Sequence, residues 1–500
     1  MEYTSTRDKS LSVSSAVAIK TGLAPDGGLF VPKDIPQITK EEIEALAQMS
    51  YTDRAVKILE GYLTDFTGAE LSECTHNAYN KAKFETDEIA PLYKLTNDVY
   101  FLELWHGPTC AFKDMALQIL PHLLKKSVVK TGETKEVVIL VATSGDTGKA
   151  ALEGFKDVDG TRIIVFYPEN GVSSMQKRQM ATQEGNNVDV AAVYGNFDDA
   201  QSGVKRIFGD KEYARVLEQN NFMLSSANSI NWGRLVPQIV YYFSAYANLV
   251  KNDEIKVGDP VNFVVPTGNF GNILAAYYAK EMGLPIAKLI CASNENNVLT
   301  DFINTGVYDK NRPFKTTSSP SMDILISSNL ERFLYHITGC DDVRVAGWMK
   351  ELAETGRYEV PEVTKAKIRE VFYGGCCNDE ETLLTIRAVH KENGYVIDTH
   401  TAVAKCVYDA YRAETGDETK TVIVSTASPF KFSDNVLNAI AGDGAADGLD
   451  DFALLETLSE KGELTIPASL ADLRTKPIIF TTTCDKTEMY DVVSHMLNLS

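Results

Sequence analysis

Val137-Val138-Ile139-Leu140-Val141-Ala142-Thr143-Ser144-Gly145-Asp146-Thr147-Gly148-Lys149-Ala150 joins an apolar run to a turn of small and hydroxyl residues, then to an Ala-rich segment. An unbroken apolar run bounded by glycine reads as a strand covered on both faces, and the segment behind it as a helix. The order recurs at Val261 to Val265, followed by Pro266-Thr267-Gly268-Asn269-Phe270-Gly271-Asn272. Turns of this kind aim backbone N–H groups and a helix N-terminus at an anion. A nucleoside-triphosphate loop is disfavoured. Thr143 stands where that motif needs its first glycine, and Ala150 replaces its metal-binding hydroxyl.

Outward from these two turns the chain reads as α/β, in two open and mostly parallel-sheet lobes. Further strand candidates are Tyr100 to Leu104, Arg162 to Tyr167, Val188 to Val193, Ala287 to Ala292, Val396-Ile397 and Thr421 to Val424. Gln176 to Glu184, Val204 to Glu218 and the aromatic stretch Asn231 to Leu249 read as helices. Residues 1–95 read as a mainly helical front domain. Within it, Leu29 to Pro32 is extended and Thr39-Lys40-Glu41-Glu42 forms a capping box. Residues 96–260 form the first lobe and 261–500 the second. The second includes an irregular, helical insertion at about 300–390 and ends in a strand (Ile478 to Thr482) and a helix. Two lobes leave a cleft at the C-terminal ends of the strands, where ligands bind.

One lysine has the surroundings of a nucleophile. His106-Gly107-Pro108-Thr109-Cys110-Ala111-Phe112-Lys113-Asp114 places Lys113 at a helix start, ahead of Ala116, Ile119, Leu120 and Leu123. Apolar surroundings and a helix N-terminus weaken an amine's hold on its proton, which suits Schiff-base chemistry. A solvated surface lysine is the alternative. Asn228-Ser229-Ile230-Asn231-Trp232-Gly233-Arg234 sets short polar groups around one cation, fit to bind an anion or to cap the aromatic helix. Ser425-Thr426-Ala427-Ser428-Pro429-Phe430-Lys431 puts hydroxyls at a strand end, and His400 is either an acid–base group or a satisfied structural histidine.

Composition bounds the function. Forty-nine Lys and Arg against 69 Asp and Glu give a formal charge of −20, which disfavours nonspecific nucleic-acid binding. No apolar run reaches membrane-spanning length, and the first residues lack a signal-peptide core, so a cytoplasmic location is expected. The eight cysteines show no CxxC and no metal-type spacing with the seven histidines; free thiols and no metal are expected.

Taken together, His106 to Thr109 with Ala111 to Asp114, Thr143 to Gly148, Ser229 to Trp232, Pro266 to Asn272 and Ser425 to Ala427 resemble threonine synthase. Tyr3 to Arg7 with Gly22 to Phe30 are similar to that family's front domain, and the likeness looks nearest to the longer microbial and fungal branch. The resemblance implies the tryptophan-synthase β-like fold, pyridoxal 5'-phosphate (PLP) as cofactor and, for that branch, a monomer. Lys113 would hold the cofactor, Gly268, Asn269, Phe270, Gly271 and Asn272 would cradle its phosphate, and Thr426 would face its ring nitrogen. Ser144, Asp146 and Thr147 would receive the substrate carboxylate. Asp146 stands where related enzymes carry an asparagine against the cofactor's ring oxygen, so either a proton is shared there or the loop is set differently. The implied reaction is a PLP-dependent carbon–oxygen lyase step in threonine biosynthesis. It converts O-phospho-L-homoserine and water to L-threonine and phosphate by γ-elimination and β-addition of water. Arg234 with Asn228, Ser229 and Asn231 would hold the leaving phosphate, and Lys149 and the turn Gly195-Asn196-Phe197-Asp198 are further candidates. The alternatives are a catalytically idle, threonine-synthase-like phosphate binder and a threonine dehydratase-like enzyme.

Overall fold

A computed structural model describes residues 1–170 and 172–499, and the backbone alone at Asp198. Two parallel sheets carry the molecule. One runs Phe372–Cys376, Ile286–Ser293, Val261–Pro266, Thr421–Ser425, Val99–Glu103 and Leu92–Lys94, all parallel except the last, antiparallel strand. The other runs Thr483–Asp485, Val188–Tyr194, Thr161–Pro168, Glu136–Ala142 and Phe222–Ser225, parallel throughout. Every residue of Val261–Pro266 and Thr421–Ser425 is buried, as central strands covered by helices on both faces require. This is the two-lobed α/β architecture expected.

Several elements differ from the sequence reading. The strand at Tyr100, read with the first lobe, pairs at Val99–Glu103 with Thr421–Ser425 in the six-stranded sheet. Thr483–Asp485 near the chain's end instead extends the five-stranded sheet. Chain order thus does not divide the sheets cleanly, because each borrows a strand from the other's part of the sequence. Val396-Ile397 is not a strand but a buried segment leading to the helix Thr399–Thr415, capped by Asp398. Two apolar residues are too few to sustain a ladder. Ile478 to Thr482 is also irregular: Ile478 and Ile479 are exposed, and the N–H groups of Ile479 and Phe480 both donate to the Ala181 carbonyl. Val204 to Glu218 splits into Phe197–Gly209 and Lys211–Gln219, with Asp210 capping the second helix. Within the insertion, Phe372–Cys376 is a genuine sheet strand. Its Gly374 and Gly375 hid it, since glycine weakens a strand signal.

The front domain packs helices Ser15–Thr21, Lys40–Leu46, Tyr51–Tyr62 and Gly68–Ala78 beside a three-stranded antiparallel sheet. The Thr39 capping box is present. The domain docks on the helix Trp232–Lys251, of which every residue from Trp232 to Leu249 is buried. A helix apolar around its whole circumference belongs inside a large core. Trp232 sits edge-on to Tyr3, Tyr62 and Tyr278, so three segments meet on one indole. Arg54 reaches from the front domain to the same helix. Its guanidinium donates to the Leu46 carbonyl at 2.7 Å, to Ser244 Oγ at 2.8 Å and to Asn248 Oδ1 at 2.6 Å, with no carboxylate bound among the described residues. Each buried acceptor left without its donor costs about 1–3 kcal/mol. Arg54→Ala is therefore expected to lower the thermal unfolding midpoint while the cleft keeps its cofactor spectrum; an unchanged midpoint would remove the strap.

Candidate active site

The lysine-bearing turn is built by one carboxylate. Asp114 is fully buried; its Oδ2 accepts from the Thr109 N–H and its Oδ1 from the Thr109 hydroxyl, both at 2.8 Å. A Cβ on Gly107 would lie 2.6 Å from Asp114, so the turn closes only over glycine. Burial pushes the Asp114 carboxyl up to about 7, against the Thr109 donors that lower it. The turn then hangs on the strand end beyond Thr421–Ser425. The Phe112 N–H donates to the Thr426 carbonyl at 2.8 Å, and the Ser428 N–H to the Cys110 carbonyl at 3.0 Å. Cys110 is a buried filler in the left-handed region at φ 59°, and Lys113 caps the short helix Asp114–Leu117, as its sequence position suggested.

Lys113 points into a charge cluster between the lobes. Its Nζ lies 3.3 Å from Ser321 Oγ and 3.7 Å from Asp146 Oδ2, and the side chain is 12% exposed. Asp146 also meets Lys431 at 3.0 Å and accepts from Gln176 Nε2 at 3.2 Å. Lys431 is itself buried and donates to Gln179 Oε1 at 3.0 Å. One carboxylate thus lies between two lysines. Burial alone would raise the Asp146 carboxyl, but Lys431 and Lys113 outweigh it and hold it well below the usual carboxylate range. Burial is the largest influence on Lys113, lowering its amine; Arg234 and Lys431 add to that and Asp146 opposes it. The loop that carries Asp146 is knotted by Thr143 Oγ1, which accepts from the Gly145 and Gly148 N–H groups at 2.9 Å each. Gly145, at φ 135°, has no room for a Cβ beside Gln176.

The second turn is a cradle. Phe270 is left-handed at φ 62° and precedes the helix Gly271–Glu281, whose first amides have no partner within the helix. Asn329 donates its N–H and its Nδ2 to the Asn269 carbonyl at 3.1 and 3.2 Å, and Ser327 Oγ donates to the Gly268 carbonyl at 2.7 Å. Asn272 Oδ1 accepts from the hydroxyls of Tyr241 at 2.5 Å and Tyr242 at 2.6 Å, which fixes the amide and leaves its buried Nδ2 without a partner. Arg234 is buried near Lys113 and donates to the Ala227 carbonyl at 2.9 Å; among the described residues it meets no carboxylate, and burial holds it down at about 10. Ser229 Oγ lies 3.2 Å from Ser328 Oγ, which donates to Asn269 Oδ1 at 3.3 Å, so this segment borders the cradle.

Other expected residues are engaged elsewhere. Asn231 caps the aromatic helix through the Gly233 N–H and ties its Nδ2 to the Ile19 and Ser226 carbonyls. Lys149 pairs with Glu153 at 3.0 Å and with Gln183. Asn196 is exposed and caps its own helix; the side chain of Asp198 lies outside the described residues. The Asn228 N–H donates to Ser226 Oγ, Ser144 is exposed at the loop's tip and Thr147 is half-buried. Thr426 is buried, and its hydroxyl makes no hydrogen bond to protein among the described residues. His400 accepts at Nε2 from the Ser321 N–H at 3.1 Å. Nδ1 therefore carries the proton toward Asp398 Oδ2 at 3.0 Å, and the ring positions the serine that faces Lys113. Ser321, Gln176 and Lys431 were missed in the sequence. Lys431 alone left a signal there, as a cation six residues beyond Ser425.

Comparison with known proteins places the chain in a family. A model described as "Threonine synthase N terminus" matches residues 2–79, "Pyridoxal-phosphate dependent enzyme" matches 85–368, and "Threonine synthase, C-terminal" matches 401–492. The threonine synthase of Saccharomyces cerevisiae is 37% identical, over 88% of this chain and 89% of its own. The chain belongs to the threonine synthase family. Threonine synthase-like 1 of Macaca fascicularis is 43% identical over 85% of this chain, and the match spans 57% of that longer protein. This corrects the expected placement: the higher identity is to a mammalian threonine synthase-like protein and not to the microbial and fungal branch. The crystal structure of PLP-bound threonine synthase from Brucella melitensis superposes with a TM-score of 0.88 at 37% identity, covering 99% of both chains.

The family's cofactor is PLP, and this threonine synthase relative has the groups to hold it. The orphaned Asn272 Nδ2 and the first-turn amides of Gly271–Glu281 suit a phosphate, Lys113 has a weakened amine, and the buried Thr426 hydroxyl is unbonded among the described residues. Removing Lys431 should leave Lys113 as the main partner of Asp146 and strengthen its hold on its proton. Lys431→Met is expected to slow acylation of Lys113 in the cofactor-free chain by about tenfold at a fixed alkaline pH, one pKa unit's worth. Mass spectrometry of the Lys113 peptide reads this directly, and equal rates would contradict the pairing.

Proposed function

We propose that this chain is a PLP enzyme that takes O-phospho-L-homoserine and water to L-threonine and phosphate. The observation that carries the reading is Lys113, its amine weakened by burial, near a second buried cation, Arg234, that meets no carboxylate among the described residues. When bound, PLP supplies the electron sink for proton loss from the substrate's carbons. Lys113 is the base that takes the Cα proton, and a single amine alternating between acid and base serves the later transfers. Asp146, kept ionised by Lys431, holds a proton on Lys113 when the amine is charged, and Ser321 orients the same Nζ. Arg234, with Ser229 beside the cradle, binds the phosphate that leaves Cγ.

A second reading has an observation of its own. The 43% identity to a protein named threonine synthase-like 1 exceeds the 37–39% to threonine synthases, which favours a threonine-synthase-like binder; a dehydratase-like lyase is the other alternative, without such support. Assaying phosphate, threonine and 2-oxobutyrate together separates these. Phosphate matched by threonine supports the synthase. Phosphate matched by 2-oxobutyrate assigns the lyase, and a cofactor band without phosphate assigns the binder. Loss of a charged hydrogen bond that tightens in the transition state costs roughly 2–4 kcal/mol. Arg234→Ala should thus lower turnover by about 10²-fold with the cofactor band intact, and unchanged kinetics would take Arg234 out of the site.

A further inference from the structure

Outside the cleft, the fold brings together three side chains that the sequence keeps apart. Cys377 follows the strand Phe372–Cys376, Glu381 lies in the first turn of the helix Asp379–Asn393, and Cys406 is mid-way along the helix Thr399–Thr415. The two Sγ atoms and one carboxylate oxygen of Glu381 all lie within 4.8 Å of one another. As a thiol, Cys377 Sγ also donates to the Asn378 carbonyl at 3.5 Å and lies 3.4 Å from Thr382 Oγ1, contacts a metal would replace. Glu381 is held in place because its Oε2 accepts the Asn378 N–H at 2.9 Å in a capping box. The pair is not sealed in. Cys377 and Glu381 border a surface cleft of about 380 Å³ shared with Asn297, Arg312 and Lys315.

We propose that Cys377, Cys406 and Glu381 form a zinc site whose fourth position opens onto this cleft. Zinc–sulfur bonds of about 2.3 Å in tetrahedral geometry set neighbouring ligand atoms roughly 3.5–4 Å apart. The observed trio needs only small side-chain adjustments to close on an ion. Two thiolates select a soft or borderline cation, and the carboxylate oxygen turns that choice toward zinc. Three protein ligands and one open position is the arrangement of a site that exchanges its fourth ligand. The ion would also tie two helices together, and the second of them carries His400 at its N-terminal end, the ring that positions Ser321. The ligand spacing, Cys-x3-Glu with a second Cys 25 residues on, matches no common zinc motif, which is why the sequence reading expected no metal.

Cobalt tests the site, because it takes zinc's geometry and reports thiolate ligation by colour. In the fully reduced, chelator-treated full chain, added Co²⁺ should give a thiolate-to-metal charge-transfer band that saturates at one equivalent and is displaced by zinc. Cys377→Ser and Cys406→Ser should each lose that band, Glu381→Gln should weaken binding by at least about tenfold, and Cys484→Ser should change nothing. Should a variant not fold, the wild-type chain still decides. Zinc should slow alkylation of Cys377 and Cys406 by more than about tenfold, leaving Cys340 unchanged. No charge-transfer band in the reduced wild-type chain, a band that survives Cys377→Ser, or alkylation indifferent to zinc would each overturn the site.

Discussion

A buried carboxylate held between two lysines is the constraint around which the cleft is arranged. Asp146 comes from the turn that opens the first lobe's helix, Lys113 from a turn hung on the second lobe's central strands, and Lys431 from just beyond those strands. No one of these charges is tolerable alone in that place, because burying an unpaired ion costs several kcal/mol. Together they tie the turns beyond the two sheets to each other across the cleft. With Lys431 at 3.0 Å and Lys113 at 3.7 Å, the two cations are unequal partners. The nearer one neutralises the carboxylate, and the farther one keeps an amine free enough for chemistry. Asp146 is an ionised aspartate because Lys431 stands beside it as a counter-charge.

The rest of the site depends on that arrangement being rigid. Ser321 faces Lys113 because its N–H is held by His400, which is held by Asp398, the cap of a buried helix. The cradle is fixed from behind by Tyr241 and Tyr242 on the aromatic helix and from the side by Ser327 and Asn329 of the insertion. Arg332 joins these parts to the front domain, donating to the Phe30 carbonyl, the Asn329 amide and the Ile230 carbonyl. Front domain, insertion and cleft thus share one hydrogen-bonded frame.

What the sequence made legible was local. The apolar runs ending in glycine turns, the capping box at Thr39 and the lysine at a helix start are patterns written over about ten residues, and the structure has each of them. Contacts across hundreds of residues were not legible. Nothing near Tyr100 says that its strand lies beside Val422, and nothing near Ser321 points to Lys113. Residue type alone does not say how Asn231 and Lys149 are engaged: Asn231 takes the capping role, one of the two its segment allows, and Lys149 meets a neighbouring glutamate. Branch placement failed for a related reason. The motifs around the cofactor are shared across the family, so they carry little about which relatives are nearer.

Of the two lysines that flank Asp146, Lys113 is the one proposed to bind the cofactor covalently, with Lys431 as the counter-ion. Borohydride reduction of the purified, PLP-loaded chain, followed by peptide mapping, tests this most directly. A pyridoxyl mass is expected on the peptide containing Lys113 and none on that containing Lys431. A label on Lys431, or on neither, would contradict it.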